Sequence, residues 1–194
     1  HTANIQALAR AHYWDGAAIV RSQENYVVQW GRDEADPRPM GSATATLAPE
    51  FDRARRGVQI TRLPDPDSYA REVGFASGFP VASDGRQTWM AHCYGMVGAG
   101  RGDTADSGGG AELYVVIGHA PRHLDRNIAT VGRVLQGMEL LSTMPRGTGA
   151  LGFYETPAER TTIRSVRLGS ELPASERVNL EALRTDSATF RDVI

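Results

Sequence analysis

The chain contains no lysine: all 21 basic residues among its 194 are arginines, which hold their charge throughout and can pair bidentately with carboxylates. Its one cysteine, Cys93, excludes a disulfide within the chain and leaves the redox compartment undecided. No apolar run approaches the roughly 20 residues of a membrane helix. A net charge of −2 leaves out the global basic field that draws nucleic acid. His1, His12, His92, His119 and His123 lack metal-ligand spacing. Gly98-Ala99-Gly100-Arg101-Gly102 has the glycines of a phosphate loop but neither its lysine nor a following helix pattern. No internal repeat stands out. What remains is ordinary for a globular domain: 41% hydrophobic and 23% charged residues, in a length that can bury a substantial core.

The most informative stretch is Ala17 to Arg32, AAIVRSQENYVVQWGR. Two apolar runs, Ala17–Val20 and Tyr26–Trp30, flank the polar break Ser22–Asn25, which reads as strand–turn–strand. Arg21 directly follows one strand and Gln29 lies inside the next. Such side chains are most often exposed on the open face of a sheet. The sharper reading puts Arg21, Tyr26 and Gln29 on one face, where they offer a guanidinium, a ring and an amide to a ligand.

Along the chain, Thr2–Arg10 has the spacing of a short helix, and Asp15-Gly16 is a turn signal. Arg32–Ala45 is loop. From Arg53 to Gln87, Pro64-Asp65-Pro66-Asp67 and Gly78-Phe79-Pro80 predict a long loop. Thr88–Tyr94 reads as a strand, the seven glycines of Gly95–Gly110 as a flexible loop, and Glu112–Gly118 as a strand. Pro121–Asn127 is a turn, Thr130–Leu135 a strand, and Gln136–Met144 a short helix burying Met138, Leu140 and Leu141. Pro145–Thr156 is loop and Thr161–Leu168 a closing strand. Leu180, Leu183 and Phe190 predict a helical tail over 171–194. His92 and Cys93 are neighbours on a strand and face opposite sides, which argues against a nucleophilic dyad and makes Cys93 a small buried hydrophobe.

Two blocks resemble the cyclophilin-type peptidyl-prolyl isomerases. The first family block has the form F-H-R-V-I-P-x-F-M-I-Q-G-G-D. Ile19-Val20-Arg21 stands where it has F-H-R, Tyr26 at its second Phe, Val27 at Met and Gln29 at Gln, with the interval of eight from Arg to Gln kept. The second block is GAELYVVIGHAPRHLDRNIATVGRVLQGMELL, Gly110 to Leu141. It is similar to G-S-Q-F-F-I-T-L-G-x-x-P-x-L-D-x-x-x-x-x-F-G-x-V-x-x-G-M-x-V-V. Outside these blocks, Ala3-Asn4-Ile5 matches a helix motif, A-N-F, and Leu47–Asp52 a segment ending E-F-x-D/E.

The resemblance implies a mainly β fold, a closed antiparallel barrel with flanking helices, spanning residues 1–170 with an insertion at about 53–87 and a C-terminal extension beyond. It implies catalysis of rotation about X–Pro bonds in polypeptides, with Arg21 as the catalytic residue and no cofactor or metal. The implied substrate-binding residues are Tyr26, Val27, Gln29, Met96, Val97, Glu112, Leu113, Tyr114, His123, Leu124 and Ile128. Several depart from the pattern: Tyr26 and Tyr114 replace Phe, Glu112 replaces Gln, His123 stands where many members have Trp, and Ile128 where they have His. Met96 and Val97 take the places of an Asn-Ala pair. In the family two strands precede the first helix, so a preceding segment or a partner chain is expected to complete the barrel. The likeness to bacterial members with long insertions favours a place outside the cytoplasm. Two other readings stay open: a proline-peptide binder that lost much of its rate, and a subunit of a larger assembly.

Overall fold

The computed structural model describes residues 1–33 and 35–194. It begins with helix α1, Thr2–Arg10, and ends near α3, Ala188–Arg191, with α2, Met138–Ser142, between them. The eleven strands are β1 (Ala18–Ser22), β2 (Val27–Gly31), β3 (Arg53–Ala54), β4 (Thr61–Arg62), β5 (Glu72–Ala76), β6 (Phe79–Ser83), β7 (Gln87–Met90), β8 (Met96–Ala99), β9 (Leu113–Val116), β10 (Thr130–Arg133) and β11 (Thr161–Thr162). They form two antiparallel sheets among the described residues, in the orders β10-β8-β9-β2-β1-β11 and β3-β7-β6-β5-β4. The architecture is mainly β with few helices, as expected.

Alternation along the first sheet assigns its two faces. Leu113 of β9 and Ala99 of β8 lie in a cluster with Leu8, Ala9, Trp14 and Ala17, the residues of α1 and the turn after it. Tyr114 and Val116 of β9, Met96 of β8 and Val27 of β2 point to the opposite face and form a second cluster. Phe79, Met90 and Cys93, from the second sheet and its exit, pack against that second cluster, so it joins the two sheets. Trp14 is 1% exposed, and its indole N–H donates to the Ala111 carbonyl at 2.9 Å, fixing the α1 turn to the start of β9.

One irregularity decides how β1 meets β2. Ile19 pairs with Trp30, but Arg21 pairs with Gln29, so Val20 is an extra residue in the ladder. A bulge of this kind shifts the following side chains by one position. In an unbroken ladder Arg21 would stand opposite Val28; the bulge sets it opposite Gln29 instead.

Several sequence expectations are corrected. Residues 53–87, read as an inserted loop, carry β3 to β6 and build most of the second sheet. Ser77 and Gly78 both have positive φ, 50° and 87°, and link Ala76 to its partner Phe79 in a two-residue hairpin. Pro80 lies near the start of β6, where its carbonyl accepts from the Ala91 N–H at 3.0 Å. Gly95–Gly110 is not wholly loop, because Met96–Ala99 is a central strand. The closing strand is reduced to Thr161–Thr162. Leu140 is 69% exposed rather than buried. The tail over 171–194 is largely irregular, with four residues in α3; Phe190 there packs edge-on against Phe75 at 5.0 Å. Cys93 is half-buried rather than fully enclosed.

Trp14→Ala is expected to cost about 3–5 kcal/mol, the range for deleting a large core aromatic. Urea denaturation reads this as a lowered midpoint with an unchanged slope.

Candidate active site

Arg21 lies in the middle of a short ladder of polar side chains on the face of the first sheet opposite α1. Its Nη1 donates to Gln29 Oε1 at 3.3 Å, and Gln29 Nε2 donates to Glu112 Oε2 at 2.7 Å. A carboxylate only accepts. Glu112 therefore turns the Gln29 NH2 toward itself and the amide oxygen toward Arg21. Arg21 Nε donates to the Leu151 carbonyl at 2.6 Å, and Nη2 donates to Gln23 Oε1. Three of the five guanidinium N–H groups are thereby engaged. The guanidinium carbon lies 5.2 Å from the ring centre of Tyr26 and 5.2 Å from that of Phe153, within cation–π range of both. Phe153, 38% exposed, meets Arg21 through an isolated bridge and had no signal in the sequence motif. Burial lowers the pKa of Arg21, with the nearby Tyr26 acting the other way. Its ordinary value is so high that the group stays charged.

Tyr26 continues the stack. The His123 ring lies 5.6 Å away at 13°, and His123 Nδ1 is 2.6 Å from the Ala120 carbonyl. That carbonyl requires a proton on Nδ1, so in the neutral ring Nε2 accepts from the Tyr26 hydroxyl at 3.3 Å. Burial raises the pKa of Tyr26, keeping it a neutral donor. Next to this stack the apolar cluster gathers Tyr26, Val27, Met96, Tyr114, Leu124 and Ile128. These six expected residues come together. Leu113 and Val97 do not: both point to the α1 side and pack with the Leu8–Trp14 cluster, as adjacent strand positions must. Gly98, not among the expected substrate-binding residues, is on the site face, opposite Tyr114. A Cβ there would lie 2.1 Å from Cζ of Tyr114, so a glycine is needed for the ring to cross β8.

The Tyr114 ring is 4% exposed, and its hydroxyl has a buried partner. His92, fully buried, is 2.8 Å from it through Nε2. His92 Nδ1 lies 3.1 Å from Asp125 Oδ1, which also accepts the His92 backbone N–H at 2.8 Å. Asp125 Oδ2 accepts from Trp89 Nε1 at 3.2 Å and Arg122 Nε at 2.9 Å, and Arg122 continues to Asp67. Burial would raise the Asp125 pKa. Hydrogen bonds from His92 and the pairing with Arg122 outweigh it and hold the carboxyl below its usual range. Burial, aided by the Asp125 charge, pushes the Tyr114 hydroxyl far up. Among the described residues no group of three His, Cys, Asp or Glu is placed to hold a metal ion, and no helix is long and apolar enough to cross a membrane.

The family model described as Cyclophilin type peptidyl-prolyl cis-trans isomerase/CLD matches residues 1–168. The chain belongs to the cyclophilin family. Its members catalyse cis–trans rotation at prolyl bonds, and the chain is identified as an isomerase of this type. Cyclophilin AquaCyp293 from Hirschia baltica superposes with a TM-score of 0.70 at 23% identity, over 90% of this chain and 67% of that one; the likeness concerns the fold. A Cryptosporidium parvum cyclophilin-type isomerase, solved in the presence of the dipeptide Ala-Pro, gives a TM-score of 0.46 at 12% identity over 79% of this chain and 77% of its own. A search of the curated proteins finds no match.

The lowered Asp125 pKa carries a sign. Its stabilising contribution is full above the unfolded carboxylate value of about 4 and is lost as pH falls through the lower folded value. Asp125→Asn is expected to lower stability at pH 7 by about 3–5 kcal/mol, the cost of breaking a buried pair. It should also flatten the acid limb of a stability–pH profile measured by denaturant titration.

Proposed function

We propose that this cyclophilin accelerates X–Pro rotation in proline-containing polypeptides, with Arg21 as the group that acts on the reacting amide. The barrier of about 18–20 kcal/mol is the resonance of the amide bond, and no covalent bond need form or break to cross it. As the amide twists, its nitrogen becomes pyramidal and its lone pair turns into an acceptor. A fixed, always-charged donor beside that nitrogen stabilises the twisted form more than the planar one, which is what lowers a barrier. The carrying observation is the placement of the Arg21 guanidinium: opposite Gln29, over the Tyr26 ring, beside the cluster of Val27, Met96, Tyr114, Leu124 and Ile128. The apolar cluster offers a surface for the prolyl ring. Two N–H groups of Arg21 are left by the three bonds named above and are available to the substrate.

Glu112 and Gln29 act on Arg21 rather than on the substrate. The carboxylate fixes which end of the amide faces the guanidinium, so the donor is held before substrate arrives. Tyr26 and Tyr114 keep the apolar ring of a phenylalanine, and each hydroxyl has a partner away from the cluster, His123 and His92. The replacement of Phe by Tyr therefore does not require an unpaired hydroxyl at the proline surface. The two sheets, joined through the cluster containing Tyr114 and Phe79, are read as walls of one closed barrel.

A proline-switch peptide assay tests this reading. Arg21→Ala is expected to lower kcat/KM by about 100-fold or more, the loss typical of removing one transition-state donor, while the circular dichroism spectrum stays unchanged. A wild-type protein that binds proline peptides without accelerating their exchange would favour the binder reading instead.

A further inference from the structure

On the far side of His123 from Tyr26 lies a separate cleft of about 570 Å³. Its floor is Trp89, 5% exposed, whose ring is covered by the Arg126 guanidinium at 4.9 Å. Tyr69 stands over Arg122 at 4.8 Å, and Arg71 is exposed at the lip. Three carboxylates line the cleft, and all their oxygens already accept. Asp67 takes the N–H groups of Tyr69 and Ala70 on Oδ1 and Arg122 on Oδ2. Asp84 takes the N–H groups of Arg86 and Gln87 on Oδ1 and Arg126 on Oδ2. Asp125 takes His92 on one oxygen and Trp89 with Arg122 on the other.

The donors are not matched in the same way. Arg122 Nη2 is buried and has no hydrogen-bond partner among the described residues. Arg126 uses Nε and Nη1 on Asp52 and Asp84, leaving Nη2 over the Trp89 floor. A buried donor without a partner is rare and costly in a native protein. A ligand that brings acceptors into this cleft meets the unmatched Nη2 of Arg126 and the exposed Arg71 at the lip, while each carboxylate is already engaged by an arginine or by backbone N–H groups. An anionic oxygen makes the stronger bond to a guanidinium.

We infer that the cleft is a subsite for an acidic side chain close to the proline in the polypeptide substrate. The inference rests on the proline-binding reading above, since His123 is the shared wall: one face of its ring covers Tyr26, and the residue also lines the cleft. A chain whose proline lies on the Tyr26–Tyr114 cluster crosses His123 and drops a neighbouring carboxylate toward Arg71 and the unmatched Nη2 of Arg126. The subsite selects among X–Pro sequences; Arg21 acts on all of them.

The test is a set of short proline peptides carrying Glu, Gln, Lys or Leu at each position within two residues of the proline. Affinity is measured by calorimetry and exchange by NMR. At one position, the Glu peptide is expected to bind about tenfold tighter than the Lys peptide, the ratio that one hydrogen bond to a charged group supplies. That ratio should shrink as salt is raised, and should fall toward one in the double variant Arg71→Gln with Arg126→Gln, which leaves the proline cluster untouched. Equal affinity for Glu and Lys peptides at every position overturns the subsite while leaving the isomerase reading intact. A Glu preference that survives in the double variant also overturns it, because the selectivity then lies elsewhere. If no peptide binds or exchanges faster, the proline-binding reading fails and the subsite falls with it.

Discussion

The bulge at Val20 is the constraint on which the site depends. A strand has only two faces, and one extra residue moves every later side chain to the other. Ile19 still follows the helix-side register opposite Trp30, while Arg21, two residues on, stands opposite Gln29. The guanidinium then comes within reach of the Tyr26 ring, the Gln29 amide and the Leu151 carbonyl at once. Glu112, across the next strand pairing, sets the direction of the amide. A long flexible side chain is thereby held in one place by partners on three segments of the chain.

The second structural theme is a buried polar string behind the apolar cluster of Val27, Met96, Tyr114 and Val116. It runs from the Tyr114 hydroxyl through His92 and Asp125 to Arg122 and Asp67. Ionised groups inside a protein are costly unless each is paired and hydrogen-bonded. Here the two carboxylate oxygens of Asp125 accept from four donors, so the charge is well met. The string ties the ring at the base of the cluster to the second sheet and to the turn at Ala120–Leu124 that carries His123. The same arginine that closes it also faces the neighbouring cleft, so the cluster and the cleft share a support.

The β1–β2 hairpin was legible because apolar, β-branched and aromatic residues flank a short polar break, and Arg21, Tyr26 and Gln29 do share a face. The bulge that makes this so was not legible: Val20 looks like any strand residue, and only the pairing reveals it. The second sheet was hidden for a related reason. Pro64, Pro66 and Pro80 with Gly78 have the composition of a loop, yet Ser77-Gly78 is a hairpin turn whose flanking runs pair residue by residue. The buried string lay outside local pattern altogether, since His92 meets groups 22 and 33 positions away. Leu113 and Val97 lie off the site for a simple reason: they are strand neighbours of Tyr114 and Met96, and adjacent strand residues face opposite ways. His92, as a lone histidine in an apolar stretch, offered no sign of its two partners.

The most direct measurement is a crystal structure of the protein with a short X–Pro peptide bound. The account predicts the prolyl ring against Tyr26, Met96, Tyr114, Leu124 and Ile128, with an Arg21 N–H directed at the prolyl nitrogen and the Gln29–Glu112 bond intact. A prolyl ring seated elsewhere, or an Arg21 guanidinium with no N–H directed at the prolyl nitrogen, would contradict it.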